Sequence, residues 1–465
     1  VTSYTKKMLP IVAVFALAVG HSAARADIVL DWNATASGML AADTQYQNPG
    51  MASRTMAMMN LAIYDAYAMT SPGGTMFYDY GGGHSSPGMT ASSKAAAAQA
   101  AYTVLSSIYS GQDSLLSGQL AASLALVSDG AEKAEGIAMG TMIGQSIINS
   151  RAGDGFDASS QYMPTNAPGH WQSDPLNPGQ QAWGPAWGSM QTFAIGSTAP
   201  FAPGPPPSLD SAEYAAAFNE VKSLGAVDSV TRTADQTEIG VFWGYDRLGM
   251  GTPMRMFEQV LNNVAISQGN TDKQNAELFA KASVAMADAG IVAWDSKFEH
   301  DLWRPVTGIR EADTDGNPLT IADPNWVPLG APGGLGPNGE TIDNFTPPFP
   351  TYLSGHATFG GALFEVLADF YGRDDISFSL TSDELPGVTR NYTSFSEAMA
   401  ENGRSRVYLG IHWNFDDALG QLAGSQVARA IMQGQFISAP AVPEPAAATL
   451  AIAVAGLVCL RRRKA

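Results

Sequence analysis

Residues 405–418 read SRVYLGIHWNFDDA, and they decide what kind of fold must surround them. His412 and Asp416 stand four apart, a spacing that puts both on one face of a helix. A carboxylate in that position can hold one ring nitrogen and leave the other free as nucleophile or ligand. Arg406 lies six residues before His412 and off that face of an ideal helix. The length of its side chain, or a helix break near Gly410, is needed to bring it round. Helices facing one another across a bundle are the architecture that lets such groups converge.

Working outward, residues 346–365 read TPPFPTYLSGHATFGGALFE. Ser354-Gly355-His356 precedes a helical run, and the amides at a helix start attract anions. Gly355 lets the backbone approach a ligand closely, Ser354 adds a hydroxyl, and His356 can give or take a proton. Further upstream, residues 294–311 read WDSKFEHDLWRPVTGIRE. Lys297 and Arg304 are seven apart, close to two helical turns, so the spacing predicts both on one side of a helix that Pro305 ends. Arg304 can grip two oxygens as a fork, and Lys297 serves as a movable point charge.

Each cluster alone has an ordinary explanation. Lys297 and Arg304 suit surface pairs with Glu299 and Asp301, His356 suits a capped helix, and His412 suits a satisfied core histidine. In sequence order, K-x6-R-P, S-G-H and S-R-x5-H-x3-D supply three cations, two histidines and a carboxylate. That set can hold a tetrahedral oxyanion such as phosphate or vanadate and do chemistry on it. His21, His84, His170 and His300 receive no role.

The rest of the body reads as mainly α. Helical patterns cover 51–69, 91–109, 115–127, 131–150, 210–224, 234–266, 271–303, 357–371, 394–410 and 413–434. The methionines of 51–69 read as core packing. Residues 152–210 are rich in Gly, Pro and Asn, yet hold Trp171, Trp183 and Trp187, so the segment is expected to pack on the body as a long irregular loop. The parts are a helical N-terminal part over 27–233, which includes that segment, and a catalytic helical bundle over 234–438.

Of the 465 residues 45% are hydrophobic and 15% charged, which places the chain among globular proteins with a sizeable core. The formal net charge is −18, and most of the chain is more acidic still, because Lys6, Lys7, Arg25, Arg461, Arg462, Arg463 and Lys464 lie near the ends. Such a body disfavours nucleic acid and anionic membranes, so the basic clusters read as a local anion pocket. The single cysteine, Cys459, excludes an intrachain disulfide. Residues 1–26 carry Lys6-Lys7, an apolar run over 8–20 and Ala24-Arg25-Ala26, the pattern of a signal peptide cleaved before Asp27. Residues 439–465 combine Val442-Pro443-Glu444-Pro445, an apolar run over 446–460 and a basic end. They resemble a PEP-CTERM sorting tail, which implies a transient membrane anchor and export to the periplasm or surface of a Gram-negative bacterium.

The three clusters resemble the type 2 phosphatidic-acid-phosphatase and vanadium haloperoxidase superfamily. The likeness extends to LGAPG (329–333) and IGVFWGYDRLGMGTP (239–253), and over residues 234–425 it is similar to the fungal vanadium chloroperoxidases. The resemblance implies a helical-bundle fold with long loops and vanadate as cofactor, with phosphate able to occupy the same site. It implies vanadium bound by His412, with Lys297, Arg304 and Arg406 neutralising the equatorial oxygens and Ser354 and the Gly355 amide adding hydrogen bonds. It assigns His356 acid–base work, gives Lys297 the polarising of bound peroxide, places Phe349 in a halide pocket and makes Asp246 an acidic supporting residue. The substrates would be hydrogen peroxide, halide and a small organic acceptor. Leu353 departs from the proline usual before Ser-Gly-His, and is expected to loosen that turn.

Two other functions use the same residues. A secreted acid phosphatase would employ His412 as nucleophile, Asp416 as its orienter and His356 as proton donor to the leaving group. An inactive exported matrix protein would keep only the fold.

Overall fold

Helix starts in this chain are set largely by Ser, Thr and Asn side chains that accept an otherwise orphaned backbone N–H. The computed structural model describes residues 27–42, 48–80, 90–246, 250–335 and 341–434. The segments read as signal peptide and sorting tail lie outside the described residues. Thirteen α-helices are present among those described. The first five are α1 (Ile28–Ala42), α2 (Pro49–Met69), α3 (Ser93–Ile108), α4 (Asp113–Ala125) and α5 (Ala131–Ser150). After a long irregular stretch come α6 (Ala212–Leu224), α7 (Ala234–Phe242), α8 (Pro253–Gln268), α9 (Asp272–His300) and α10 (Pro305–Arg310). The last three are α11 (Gly355–Tyr371), α12 (Phe395–Tyr408) and α13 (Asn414–Met432).

Most helices fall where the hydrophobic period places them, with three corrections. The stretch 234–266 is not one helix: α7 stops at Phe242 and α8 restarts behind the Thr252 cap with Pro253 in its first turn. Lys297 and Arg304 do not share a helix. The chain leaves α9 at His300, Asp301 takes a left-handed conformation, and Pro305 begins α10 instead of ending a helix, with Arg304 as the N-cap residue. His412 is not on a helix with Asp416, since α13 starts at Asn414 and His412 sits in the turn before it. Helix α1 and two short antiparallel hairpins were not anticipated. The hairpins are β1 (Gly334–Leu335) with β2 (Thr341–Ile342), and β3 (Phe378–Ser382) with β4 (Leu385–Tyr392).

One hydrophobic core runs from Ile28 to Ile431 and joins the two parts of the chain. Helix α2 packs along α9, and its Met56, Met58 and Met59 are buried in that core. Helices α11 and α13 meet almost backbone to backbone. A Cβ on Gly424 would lie 2.0 Å from the Thr358 carbonyl oxygen, and one on Gly361 would lie 2.3 Å from that of Gln421. The irregular stretch packs on α9 as expected, with Trp171 and Trp187 buried. Asp288 of α9 accepts the N–H groups of Phe193, Ala194 and Ile195, at 2.6, 2.8 and 3.1 Å. Near the end of α9, Trp171 N–H donates to Asp301 O and Trp303 N–H to Gly169 O. Among the described residues no helix is long and apolar enough to cross a membrane.

Candidate active site

Four helix ends and one loop bring the clusters together. Lys297 sits in the last turn of α9, Arg304 at the start of α10, Gly355 and His356 in the first turn of α11, and Arg406 in the last turn of α12. The turn from α12 to α13 carries His412. It can fold so tightly because Gly410 adopts a φ of 74° and presses on Gly225, where a Cβ would meet the Gly225 carbonyl oxygen at 2.5 Å. This is the break that lets Arg406 and His412 face one site.

His412 is held by one side of its ring. Its Nδ1 lies 2.9 Å from Asp416 Oδ2 and 3.1 Å from Thr351 Oγ1. The same carboxylate oxygen accepts the Thr351 hydroxyl and the Trp413 N–H. With Nδ1–H donated to the carboxylate, Nε2 keeps its lone pair, and it accepts from Arg304 Nη1 at 2.9 Å. Burial first, then the positive charges of Arg304, Lys297 and Arg406, push the imidazole well below its ordinary pKa, so it is a neutral ligand or nucleophile. Burial also raises the Asp416 carboxyl, against the pull of Thr351 and the cations.

The three cations are almost wholly buried. Arg304 donates from Nε to Phe349 O and from Nη1 to Ile411 O, both at 2.9 Å, while its buried Nη2 has no acceptor among the described residues. Burial lowers this guanidinium to about 9. Arg406 pairs through Nη2 with Asp246 Oδ2 at 2.6 Å, and its buried Nε lacks an acceptor among the described residues. Lys297 behaves differently. It donates to the carbonyls of Pro350 and Thr351 at 3.0 Å and also to that of Leu353. All three ammonium protons are thus committed to the 350–353 loop, and contact with an oxyanion requires releasing one. Burial and the charge of Arg304 push Lys297 well below its ordinary pKa.

The turn at Leu353 is held by hydrogen bonds from two sides. The Leu353 side chain is fully buried, Lys297 holds the carbonyls before Ser354, and Ser354 N–H donates to Asp416 O at 3.1 Å. Hydrogen bonds therefore fix the turn that a proline would stiffen. Ser354 is the N-cap residue of α11, with its hydroxyl toward Ala357 N–H at 3.5 Å.

His356 points its Nε2 at the carbonyls of Trp243 and Gly244, at 3.1 and 3.0 Å. These acceptors require Nε2–H, which leaves Nδ1 as the basic nitrogen. Burial and Arg406 push this ring well below its ordinary pKa as well. A cavity of about 360 Å³ is bounded by Gly355, His356, Arg406 and His412, and also by Asp246, Trp183, Trp294 and Phe349. Lys297, Arg304 and Ser354 are not among the residues that line it. Phe349 stacks beneath both cations, with its ring centre 5.0 Å from Lys297 Nζ and from Arg304 Cζ.

The donor set fits an oxyanion. Among the described residues two buried guanidinium nitrogens lack acceptors, and beside them stands a histidine nitrogen whose lone pair is met by Arg304 Nη1, a contact that an oxyanion can replace. Among the described residues no group of three or more His, Cys, Asp or Glu converges as a bare cation would require. Sequence reasoning missed Thr351, which orients both His412 and Asp416, although it stood inside the quoted FPTYLSGH run. It also missed the carbonyls that fix His356, since a backbone acceptor leaves no mark in a sequence. His170 bonds Asp301 at the protein surface, 2.8 Å away, and is not brought to the site.

Comparison with known proteins agrees with this geometry. Residues 277–436 match the family model of the VCPO second helical-bundle domain. Vanadium chloroperoxidase of Curvularia inaequalis is 36% identical over 258 residues, which span 45% of this chain and 41% of that protein. The fold resembles that of a bacterial vanadium-dependent iodoperoxidase, with a TM-score of 0.71 and 24% identity over 89% of this chain and 98% of the other. It also resembles a holo-type bacterial vanadium-dependent chloroperoxidase, at TM-score 0.62 and 16% identity over 84% and 93% of the two chains. The second half of the chain is thus similar in sequence to a vanadium chloroperoxidase, and the whole is similar in fold to bacterial vanadium-dependent haloperoxidases.

Proposed function

We propose that this protein is a vanadate-dependent haloperoxidase, which oxidises halide with hydrogen peroxide and a proton to hypohalous acid and water. The observation that carries this reading is the pair of acceptor-less buried guanidinium nitrogens of Arg304 and Arg406, beside a neutral His412 held by Asp416. His412 Nε2 would ligate the vanadium. Arg304 and Arg406, with Lys297 after release of one carbonyl, would neutralise the oxyanion, and the Gly355 amide and Ser354 would complete its hydrogen bonds. When bound, vanadate supplies Lewis acidity toward hydrogen peroxide without changing its own oxidation state.

The remaining work belongs to the chain. Asp416 and Thr351 keep His412 in the tautomer that offers Nε2. His356, neutral with Nε2–H tied to two carbonyls, has Nδ1 available to take a proton from peroxide and return it to the departing hydroxyl. Asp246 offsets the charge of Arg406 and fixes its plane. Trp294, Phe349 and Trp183 exclude water from the place where a halide loses its hydration shell. Residues 1–26 and 439–465 fit an exported protein that is held at the membrane during sorting, and the identity of the halide is a matter for assay.

The test begins with protein stripped of oxyanions. Orthovanadate is added back, and halogenation of a dye with chloride, bromide and iodide is followed beside phosphate-ester hydrolysis. Halogenation that appears only with vanadate and peroxide is the expected result, and His412→Ala should lose it together with retained vanadate. Ester hydrolysis without vanadate, and no halogenation with it, would replace this reading by the phosphatase.

A further inference from the structure

The cavity beside His356 and Arg406 is far larger than its smallest guests require. Halide and peroxide are one and two heavy atoms, whereas the cavity of about 360 Å³ falls in the size class of sites for whole organic molecules, roughly 300–1,000 Å³. Its wall is mainly ring surface and proline: Trp183, Trp294, Phe345, Phe349, Pro347 and Pro348.

We propose that this cavity binds the organic acceptor itself: a neutral, flat molecule of one or two aromatic rings with an O–H or N–H, held while halogen is transferred to it. The inference rests on the haloperoxidase reading and adds to it a substrate class and a place.

Three features of the wall support this class. The first is flatness. Trp183 and Trp294 meet edge to face with ring centres 5.2 Å apart, and Trp294 and Phe349 lie 5.0 Å apart, so a further ring finds both faces and edges to pack on. The second is rigidity. Trp183 N–H donates to Pro348 O at 2.7 Å, and Gln180 Nε2 donates to Thr346 O at 3.0 Å. The two sides of the cavity are thus joined through the backbone and stiffened by Pro347 and Pro348, so a ligand has little to order on arrival. The third is charge. The Asp246 carboxylate lines the cavity; a carboxylate offers more acceptor positions than Arg406 uses, and it opposes an anionic guest. Much of the wall also lies outside residues 277–436, the region matched by the family model. Pro49 comes from the start of α2, and Gln181, Ala182 and Trp183 from the irregular stretch. The N-terminal half thus contributes four of the residues that line the cavity.

The transfer balances without a further reactant. Hypohalous acid formed in the site gives its halogen to a ring carbon, the halogen–oxygen bond breaks, and the ring proton leaves with the hydroxyl as water. The acceptor is oxidised by two electrons, and the halogen returns to the oxidation state of halide in the product.

Binding is tested apart from turnover. Indole and benzoate are titrated calorimetrically into the vanadate-loaded protein without peroxide or halide. Indole should bind saturably at one site, and benzoate at least tenfold more weakly. Trp183→Ala should weaken indole at least tenfold and Trp183→Phe should recover most of that loss, with thermal melting as the folding control. Gln181→Trp, a change at an exposed position on the rim, should block indole by bulk alone. In turnover, the rate should saturate with indole, and the positions halogenated should differ from those given by hypohalite reagent in buffer. Halogenation without indole binding, with the product pattern of the free reagent, overturns the acceptor site and leaves the haloperoxidase reading standing. Indole binding without halogenation of any acceptor removes the haloperoxidase reading and the acceptor role with it.

Discussion

Two pairs of buried arginines divide this molecule into a part that holds shape and a part that holds a ligand. In the N-terminal half, Arg54 and Arg151 share Asp154 Oδ2, each at 2.8 Å through Nε. Arg54 Nη2 also donates to Arg151 O, and Arg151 gives Nη1 to Thr192 O and Nη2 to Gln191 O. Their guanidinium faces are covered by Phe156 and Phe193 at 4.2 and 3.9 Å. In the catalytic bundle, Arg304 and Arg406 are as deeply buried, yet each keeps a nitrogen without an acceptor. A buried donor left over is expensive unless something outside the chain completes it. The first pair is finished by protein, and the second waits for an anion.

The strongest way to break the comparison is to remove the carboxylate that finishes the first pair. Asp154→Ala leaves two desolvated guanidiniums with no counter-charge, and loss of one partner of a buried ion pair costs about 3–5 kcal/mol. A urea titration should show the unfolding free energy lowered by that amount, as an earlier midpoint at unchanged slope. Retained vanadate affinity in whatever protein stays folded would confirm that this pair has no part in binding. A loss under about 1 kcal/mol would mean that the backbone carbonyls alone satisfy both arginines.

The same contrast explains what could be read from the sequence. Lys297, Arg304, Ser354, Gly355, Arg406, His412 and Asp416 were legible because charged and catalytic residue types recur at fixed spacings. Their convergence depends on helix ends, of which periodicity placed some and missed others. What stayed hidden depended on conformations that side-chain types do not encode. The left-handed Asp301 moved Arg304 onto a new helix, and the Gly410–Gly225 contact placed His412 in a turn. The commitment of Lys297 to three carbonyls arises from the path of the 350–353 loop, which has no side-chain signal. Asp154 was equally invisible, because an acidic residue in a Gly-rich stretch looks like solvated loop until two arginines from α2 and the end of α5 are found upon it.

Adding the missing anion sharpens the comparison. Orthovanadate at about a hundred times its dissociation constant should raise the stability of the native protein by about 2.7 kcal/mol. Arg304→Met should abolish most of that gain while changing the stability of the anion-free protein much less, because removing a buried cation also removes its desolvation penalty. Thermal melts with and without vanadate check both statements. An undiminished vanadate response in the variant would show that Arg304 closes the fold as Arg151 does, and is no anion ligand.

Glu258 on α8 is the residue that fits neither half of the contrast. It is 1% exposed, and among the described residues neither carboxyl oxygen has a hydrogen-bond partner and no cation pairs with it. Burial alone raises its pKa to about 8. Below the ordinary carboxyl range Glu258 is neutral whether folded or unfolded, and it takes nothing from stability. As pH rises from about 4.3 towards 8, the unfolded chain releases a proton that the folded chain retains, so stability falls with pH. The slope from this one group is at most about 1.4 kcal/mol per pH unit. Glu258→Gln keeps the shape and removes the proton, so the variant should gain on the native protein steadily between pH 5 and about pH 8 and match it near pH 4. Denaturant midpoints at those values measure the difference. A constant difference across the range would mean that Glu258 is ionised in the folded protein, which in a site without donors requires water or a cation to reach it. The scaffold would then hold, away from the site, a buried charge that protein alone does not complete.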